Sequence, residues 1–186
     1  MKELSLNILD IAQNSVKAKA DTIDIILNEK SDTLEIKIID NGCGMKKDFL
    51  AAVADPFTTT RTTRKVGLGI PLFKLACQQT GGDLTISSRH EDEYPDTHGT
   101  EVSAVFYKNH LDFTPLGDVV STVTVLIQGQ PHIRWKYTHN TEKGSVNLDT
   151  EELKTVLGDV PLDTFEVIMW IADYLKEQYR EIGYNY

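Results

Sequence analysis

Apolar residues recur at three- and four-residue steps through the start of the chain. Leu4, Ile8, Ile11, Ala12 and Val16 form one stripe and predict a helix across residues 2–20 with a single buried side. The period then drops to two. Ile23, Ile25 and Leu27 alternate with polar neighbours, and Leu34, Ile36 and Ile38 repeat the pattern after a polar turn, predicting an antiparallel hairpin covered on one face. A glycine-punctuated turn follows, Asp40-Asn41-Gly42-Cys43-Gly44, and then a short helix around residues 46–54. Residues 56–65 hold five threonines and two arginines and offer little to bury, so they read as a loop that orders on demand. Gly67-Leu68-Gly69 opens a helix over 70–80 that Gly81-Gly82 closes. Strands at 83–88 and 100–107 flank an acidic loop containing Glu91, Asp92, Glu93 and Asp96.

The character changes after His110. Residues 116–127 read as a helix or a mixed apolar segment, 133–138 as a strand, and 140–144 as the turn into a further strand at 146–148. Asp149 is placed to cap a short helix, and 164–181 form a longer amphipathic one. The organisation expected is a domain over 1–110 and a small α+β C-terminal domain over 111–186. Together they imply a two-layer α/β (α+β) sandwich, helices on one face of a mixed sheet, with a C-terminal appendage.

Composition narrows the function. The formal net charge of -9 disfavours a nucleic-acid surface, because bulk attraction to a polyanion is missing. Arg61, Arg64 and Lys65 are the local exception, with no acid between Pro56 and Gln79; they suit a small anionic ligand, or an ordinary solvated loop, which charge alone slightly favours. Two cysteines argue against a disulfide framework, and five scattered histidines give no zinc spacing. No apolar run reaches the length of a membrane span, so a soluble, cytoplasmic protein with no membrane association is expected.

Four groups carry candidate chemistry. Asp10 and Asn14 are four apart on the first helix, with Lys17 three further along, so all three share a side. They read either as a wet helix face or as a hard-oxygen magnesium ligand (Asn14) between a carboxylate and a phosphate-seeking lysine. Asp40, Gly42 and Gly44 make a tight turn, or a pocket in which backbone approaches a flat base and a carboxylate accepts its exocyclic amine. Gly67, Leu68 and Gly69 expose backbone N–H groups at a helix N-terminus, where phosphate oxygens bind. Gly99-Thr100 opens the last strand of the first domain.

The order and spacing of these groups over roughly the first 107 residues resemble the GHKL ATPase superfamily, which includes DNA gyrase, heat-shock chaperones, sensor histidine kinases and MutL-type repair proteins. The resemblance implies that Asn14 is the N-box magnesium ligand and that Asp10 stands where ATPases carry a catalytic glutamate, one methylene longer. It implies a phosphate contact for Lys17, adenine recognition by Asp40 with Gly42 and Gly44 shaping the pocket, and support of that aspartate by Thr100 through water. Pro56-Phe57-Thr58-Thr59-Thr60 with Gly67-Leu68-Gly69 is similar to the lid of nitrogen-sensing histidine kinases, and Arg61, Arg64 and Lys65 would help hold the γ-phosphate. Asn41-Gly42-Cys43-Gly44 and Gln13-Asn14-Ser15 are closer to MutL.

Three functions follow from the resemblance. The chain hydrolyses Mg-ATP or uses it as a nucleotide switch; it phosphorylates a separate protein, as two-component and anti-sigma kinases do; or it binds nucleotide without turning it over. All five histidines fall in predicted loop or strand contexts, so a complete sensor kinase with its own phospho-acceptor helix is not expected. A lysine outside the domain that reaches the γ-phosphate, as in gyrase, would be Lys136 or Lys143. Phe165, Ile168, Met169, Ile171, Ala172 and Leu175, with Trp170 and Tyr174 adjacent, form an apolar stripe that either packs on the tail's own hairpin or meets a protein partner or a second copy in a homodimer.

Overall fold

The computed structural model describes residues 3–54 and 68–185, so the loop at 56–65, with Arg61, Arg64 and Lys65, and also Gly67 lie outside the described residues. The first helix, α1 (Leu4–Lys17), starts without a side-chain cap. Its leading N–H groups are satisfied instead from far along the chain: Leu4 donates to the Pro115 carbonyl at 2.9 Å and Ser5 to that of Leu116 at 2.8 Å. It ends where Lys19 adopts a left-handed φ of 59° and Ala20 N–H turns back to the Ser15 carbonyl.

Six strands form one sheet: β1 (Thr22–Glu29), β2 (Thr33–Asp40), β3 (Leu84–Arg89), β4 (Gly99–Tyr107), β5 (Arg134–Thr141) and β6 (Gly144–Asp149), in the order β3-β4-β2-β1-β5-β6. β1 and β5 run parallel and every other neighbouring pair is antiparallel, which makes the sheet mixed. Register lines Ile86, Val102, Ile38, Ile25, Tyr137 and Leu148 into one row across all six strands. Alternation then puts every such position on the same face, so burying one row fixes the rest. α1, α2 (Lys47–Ala54), α3 (Gly69–Gln79), α4 (Val119–Gly129), α5 (Thr150–Leu157) and α6 (Phe165–Glu181) complete the fold. Leu4 and Ile8 of α1, Phe73 of α3, Val123 of α4 and Ile171 of α6 join the sheet's apolar row in one continuous core. Residues after 110 therefore extend the sheet and core begun by those before it.

The α6 stripe is displaced from the one read in the sequence. Val167, Ile171, Leu175 and Tyr179 are buried at four-residue steps, whereas Phe165 and Met169 are exposed. Apolar residues occupy more than half the circumference of this helix, so their periodicity does not say which side meets α4 and β6. No helix among the described residues is long and apolar enough to cross a membrane.

Candidate functional site

A cavity of about 370 Å³ opens between α1, the β2–α2 turn and the start of α3. Asn14 and Lys17 reach it from α1, Asp40 from the end of β2, Gly44 from the turn and Thr100 from β4. Ile11, Met45, Phe49, Val53, Ile70 and Val102 give it an apolar wall. The volume and this mixture of an apolar wall with a few polar groups suit a nucleotide base and its sugar.

Asp40 is held firmly. Its Oδ1 accepts from Gly42 N–H at 2.9 Å and its Oδ2 accepts from the Ser15 hydroxyl at 2.5 Å. Asn41 beside it is structural: its Oδ1 accepts from Asp21 and Thr22 N–H, both at 2.9 Å, tying the end of β2 to the start of β1. The turn's glycines answer to packing. A Cβ on Gly42 would lie 2.7 Å from the Ala18 carbonyl oxygen, and one on Gly44, whose φ is +70°, would overlap the Arg89 carbonyl. His98 Nδ1 lies 2.6 Å from the Gly42 carbonyl, and Cys43 N–H donates to the Ala18 carbonyl at 2.9 Å, so the turn is fixed on both sides. Thr100 is register partner to Asp40 and shares a 2.8 Å hydroxyl contact with Ser88, which also accepts from Met45 N–H.

Asp10 and Asn14 meet the start of α3. A Cβ built on Gly69 would be 3.4 Å from the Asp10 Cβ and 4.0 Å from the Asn14 side-chain nitrogen. Leu68, the N-cap residue of α3, is exposed. Asp10 is exposed at this junction and is not among the residues lining the cavity. The amide of Asn14 makes no hydrogen bond among the described residues, leaving its oxygen available to a cation; a single neutral oxygen suits magnesium, which keeps most of its waters. Lys136 and Lys143 are engaged elsewhere and do not line the cavity. Lys136 pairs with Asp24 at 3.2 Å, and Lys143 donates to the Gly183 carbonyl at 2.8 Å. Ser15 and Ser88 set the Asp40 and Thr100 side chains; the sequence names Ser15 only within Gln13-Asn14-Ser15, with no role, and does not single out Ser88. Ser15 immediately follows Asn14 and one more step of the helix would have found it; nothing local to Ser88 signals its role.

A helix-covered mixed sheet with this cavity at the ends of α1 and β2 defines an ATP-binding module of the GHKL class. Residues 2–111, more than half the chain, match the family of histidine kinase-, DNA gyrase B- and HSP90-like ATPases, and the chain belongs to that family. It is 28% identical over 94 residues to an NtrY-like sensor histidine kinase of Rickettsia prowazekii, a match covering 50% of this chain and 15% of that one. It is 32% identical over 89 residues to the sensor protein KdpD of Clostridium acetobutylicum, 45% of this chain and 10% of the other. The chain thus spans a small part of the curated relatives it matches. In fold it resembles the Aquifex aeolicus MutL ATPase domain complexed with ADP, with a TM-score of 0.54 and 15% identity over 84% of this chain and 69% of that one. A DNA repair protein's N-terminal domain is similar, with a TM-score of 0.52 and 20% identity over 80% of this chain and 52% of that chain.

Proposed function

We propose that the cavity binds Mg-ATP and that the chain hydrolyses it or uses it as a nucleotide switch. The observation that carries this reading is that Asn14 and Asp40, from separate elements, line one cavity with the N-terminus of α3 beside it. Asp40 accepts the adenine amine, which its fixed orientation prepares it to do. The Asn14 amide oxygen holds the magnesium ion, which, when bound, neutralises charge on the triphosphate. Lys17 meets phosphate, and Leu68 and Gly69 offer backbone N–H groups to it, joined on sequence grounds by Gly67. On sequence grounds, Arg61, Arg64 and Lys65 hold the γ-phosphate. Asp10, beside Gly69 at the phosphate end, takes the proton from the water that attacks γ-phosphorus as ADP leaves.

Phosphoryl transfer to a separate protein is the second reading. Two supports favour it: Asp10 is open to solvent, where an acceptor hydroxyl or imidazole can approach, and the relatives matching about half the chain are sensor histidine kinases. Incubation with γ-labelled ATP separates the two. Free labelled phosphate from the isolated chain supports hydrolysis, label on a partner supports a kinase, neither with ATP still bound leaves nucleotide binding without turnover, and no bound ATP overturns both.

A further inference from the structure

α5 and α6 carry a surface that the nucleotide cavity leaves unused. α6 buries its Val167–Ile171–Leu175–Tyr179 row, and on its outward side Trp170 and Tyr174 stand 50% and 40% exposed. Their rings stack with centroids 5.1 Å apart and planes 9° from parallel. Phe165 and Met169 are also exposed on this helix.

Carboxylates surround these rings. Glu166 and Asp173 stand one helical turn to either side of Trp170, and both are exposed. Tyr174 shares a cavity of about 260 Å³ with Asp149, Glu152 and Leu153. From Asp149 onward the sequence has nine acids against three bases, so this stretch supplies -6 of the chain's net -9. Some of these acids are paired: Asp149 with Arg134 at 2.6 Å, and Glu177 with Arg180 at 2.8 Å. Glu152, Asp163, Glu166, Asp173 and Glu181 have no ion pair among the described residues.

We propose that this face of α6 docks a basic amphipathic segment of another protein, its arginine or lysine heads set among the carboxylates and against the Trp170–Tyr174 pair, its apolar side against Phe165 and Met169. Charge decides the occupant. A second copy would set like-charged faces together, and an anionic membrane or nucleic acid would be repelled by unpaired carboxylates. Aromatic faces with neighbouring carboxylates attract cations twice, through the ring quadrupole and through the charge. The inference stands apart from the nucleotide reading, since none of these residues lines that cavity.

The test titrates the full chain calorimetrically with two synthetic amphipathic peptides, one of arginine and leucine and one with glutamate replacing arginine. The arginine peptide is expected to bind one to one, and to lose about ten-fold in affinity when salt rises toward physiological strength. Trp170→Ala, and separately Glu166→Gln with Asp173→Asn, should each weaken it by about ten-fold. Both variants change exposed side chains, so an unchanged urea midpoint shows that they fold. Equal binding of the two peptides reduces the surface to apolar adhesion and overturns the proposal. So does binding of the arginine peptide that neither variant weakens, which would place it on another acidic surface such as loop 91–96. Absence of binding, or sedimentation showing a dimer that Trp170→Ala dissolves, overturns it as well.

Discussion

Asp40→Asn separates the base-reading role of this carboxylate from its place in the fold. The substituted amide keeps an oxygen for Gly42 N–H, which lies 2.9 Å from Asp40 Oδ1. Its nitrogen falls where Oδ2 accepts from Ser15 at 2.5 Å, and the serine hydroxyl can turn to accept instead. Both internal bonds therefore survive in neutral form. The adenine amine fares worse, because it meets amide hydrogens where a charged lone pair had been. A hydrogen bond to a charged group contributes about 1.5–3 kcal/mol. At about 1.4 kcal/mol per decade, losing one of about 2 kcal/mol weakens ATP binding roughly 30-fold.

Guanine carries a carbonyl where adenine carries that amine, so the same substitution should leave GTP binding nearly unchanged or improve it. The assay is calorimetric titration of wild type and variant with ATP and with GTP, alongside urea unfolding. The expected pattern is a large ATP loss, a collapsed ATP-over-GTP preference and a small change in stability. A loss of less than about three-fold in ATP affinity would refute the reasoning. Equal affinity of the wild type for the two nucleotides would refute it without any mutant.

Asn14→Ala should remove the magnesium-dependent part of ATP affinity while the unfolding midpoint holds, measured by titration with and without the metal. Gly44→Ala should destabilise the chain by about 2 kcal/mol or more in urea unfolding, because it adds a side chain at φ +70° that overlaps the Arg89 carbonyl. Burial alone would push the Glu29 carboxyl up, but hydrogen bonds from His139, Lys108 and Tyr184 outweigh it and hold its pKa at about 2 against an ordinary 4.5. That gap is worth about 3 kcal/mol of stability. It is present above pH 4.5 and is lost as pH falls toward 2; Glu29→Gln should flatten the stability slope over this window, measured by urea unfolding at successive pH values.

The elements around the cavity were legible because their signals are local. Asn14 announces itself by its four-residue spacing from Asp10, and Asp40 by the two glycines that follow within four positions. Packing then explains those glycines independently of any ligand, since Ala18 and Arg89 press on them from either side. What escaped was tertiary. Ser15 and Ser88 matter only because β2 and β4 bring Asp40 and Thr100 to them, and no spacing along the chain encodes that meeting. The displacement of the α6 stripe has the same origin: an aromatic at position 165 or 170 is as apolar as one at 179, and only α4 and β6 decide which is covered.

The pairing of β5 with β1 was likewise beyond periodicity, and it bears on the site. Alternation along 134–141 identifies a strand without naming its neighbour. Parallel pairing in the register Ile23↔Trp135 and Ile25↔Tyr137 means the hairpin whose second strand ends in Asp40 is braced on its other side by residues after 110. The same later segment supplies the carbonyls of Pro115 and Leu116 to the first N–H groups of α1, the helix that carries Asn14. The tail therefore holds α1 at the end far from Asn14 and the hairpin along the length of β1, and Thr122 Oγ1 adds a third tie by donating to the Ser5 carbonyl at 3.3 Å. The acidic and aromatic surface gathers only from Asp149 onward, while among the described residues one sheet and one core run across residue 110 unbroken.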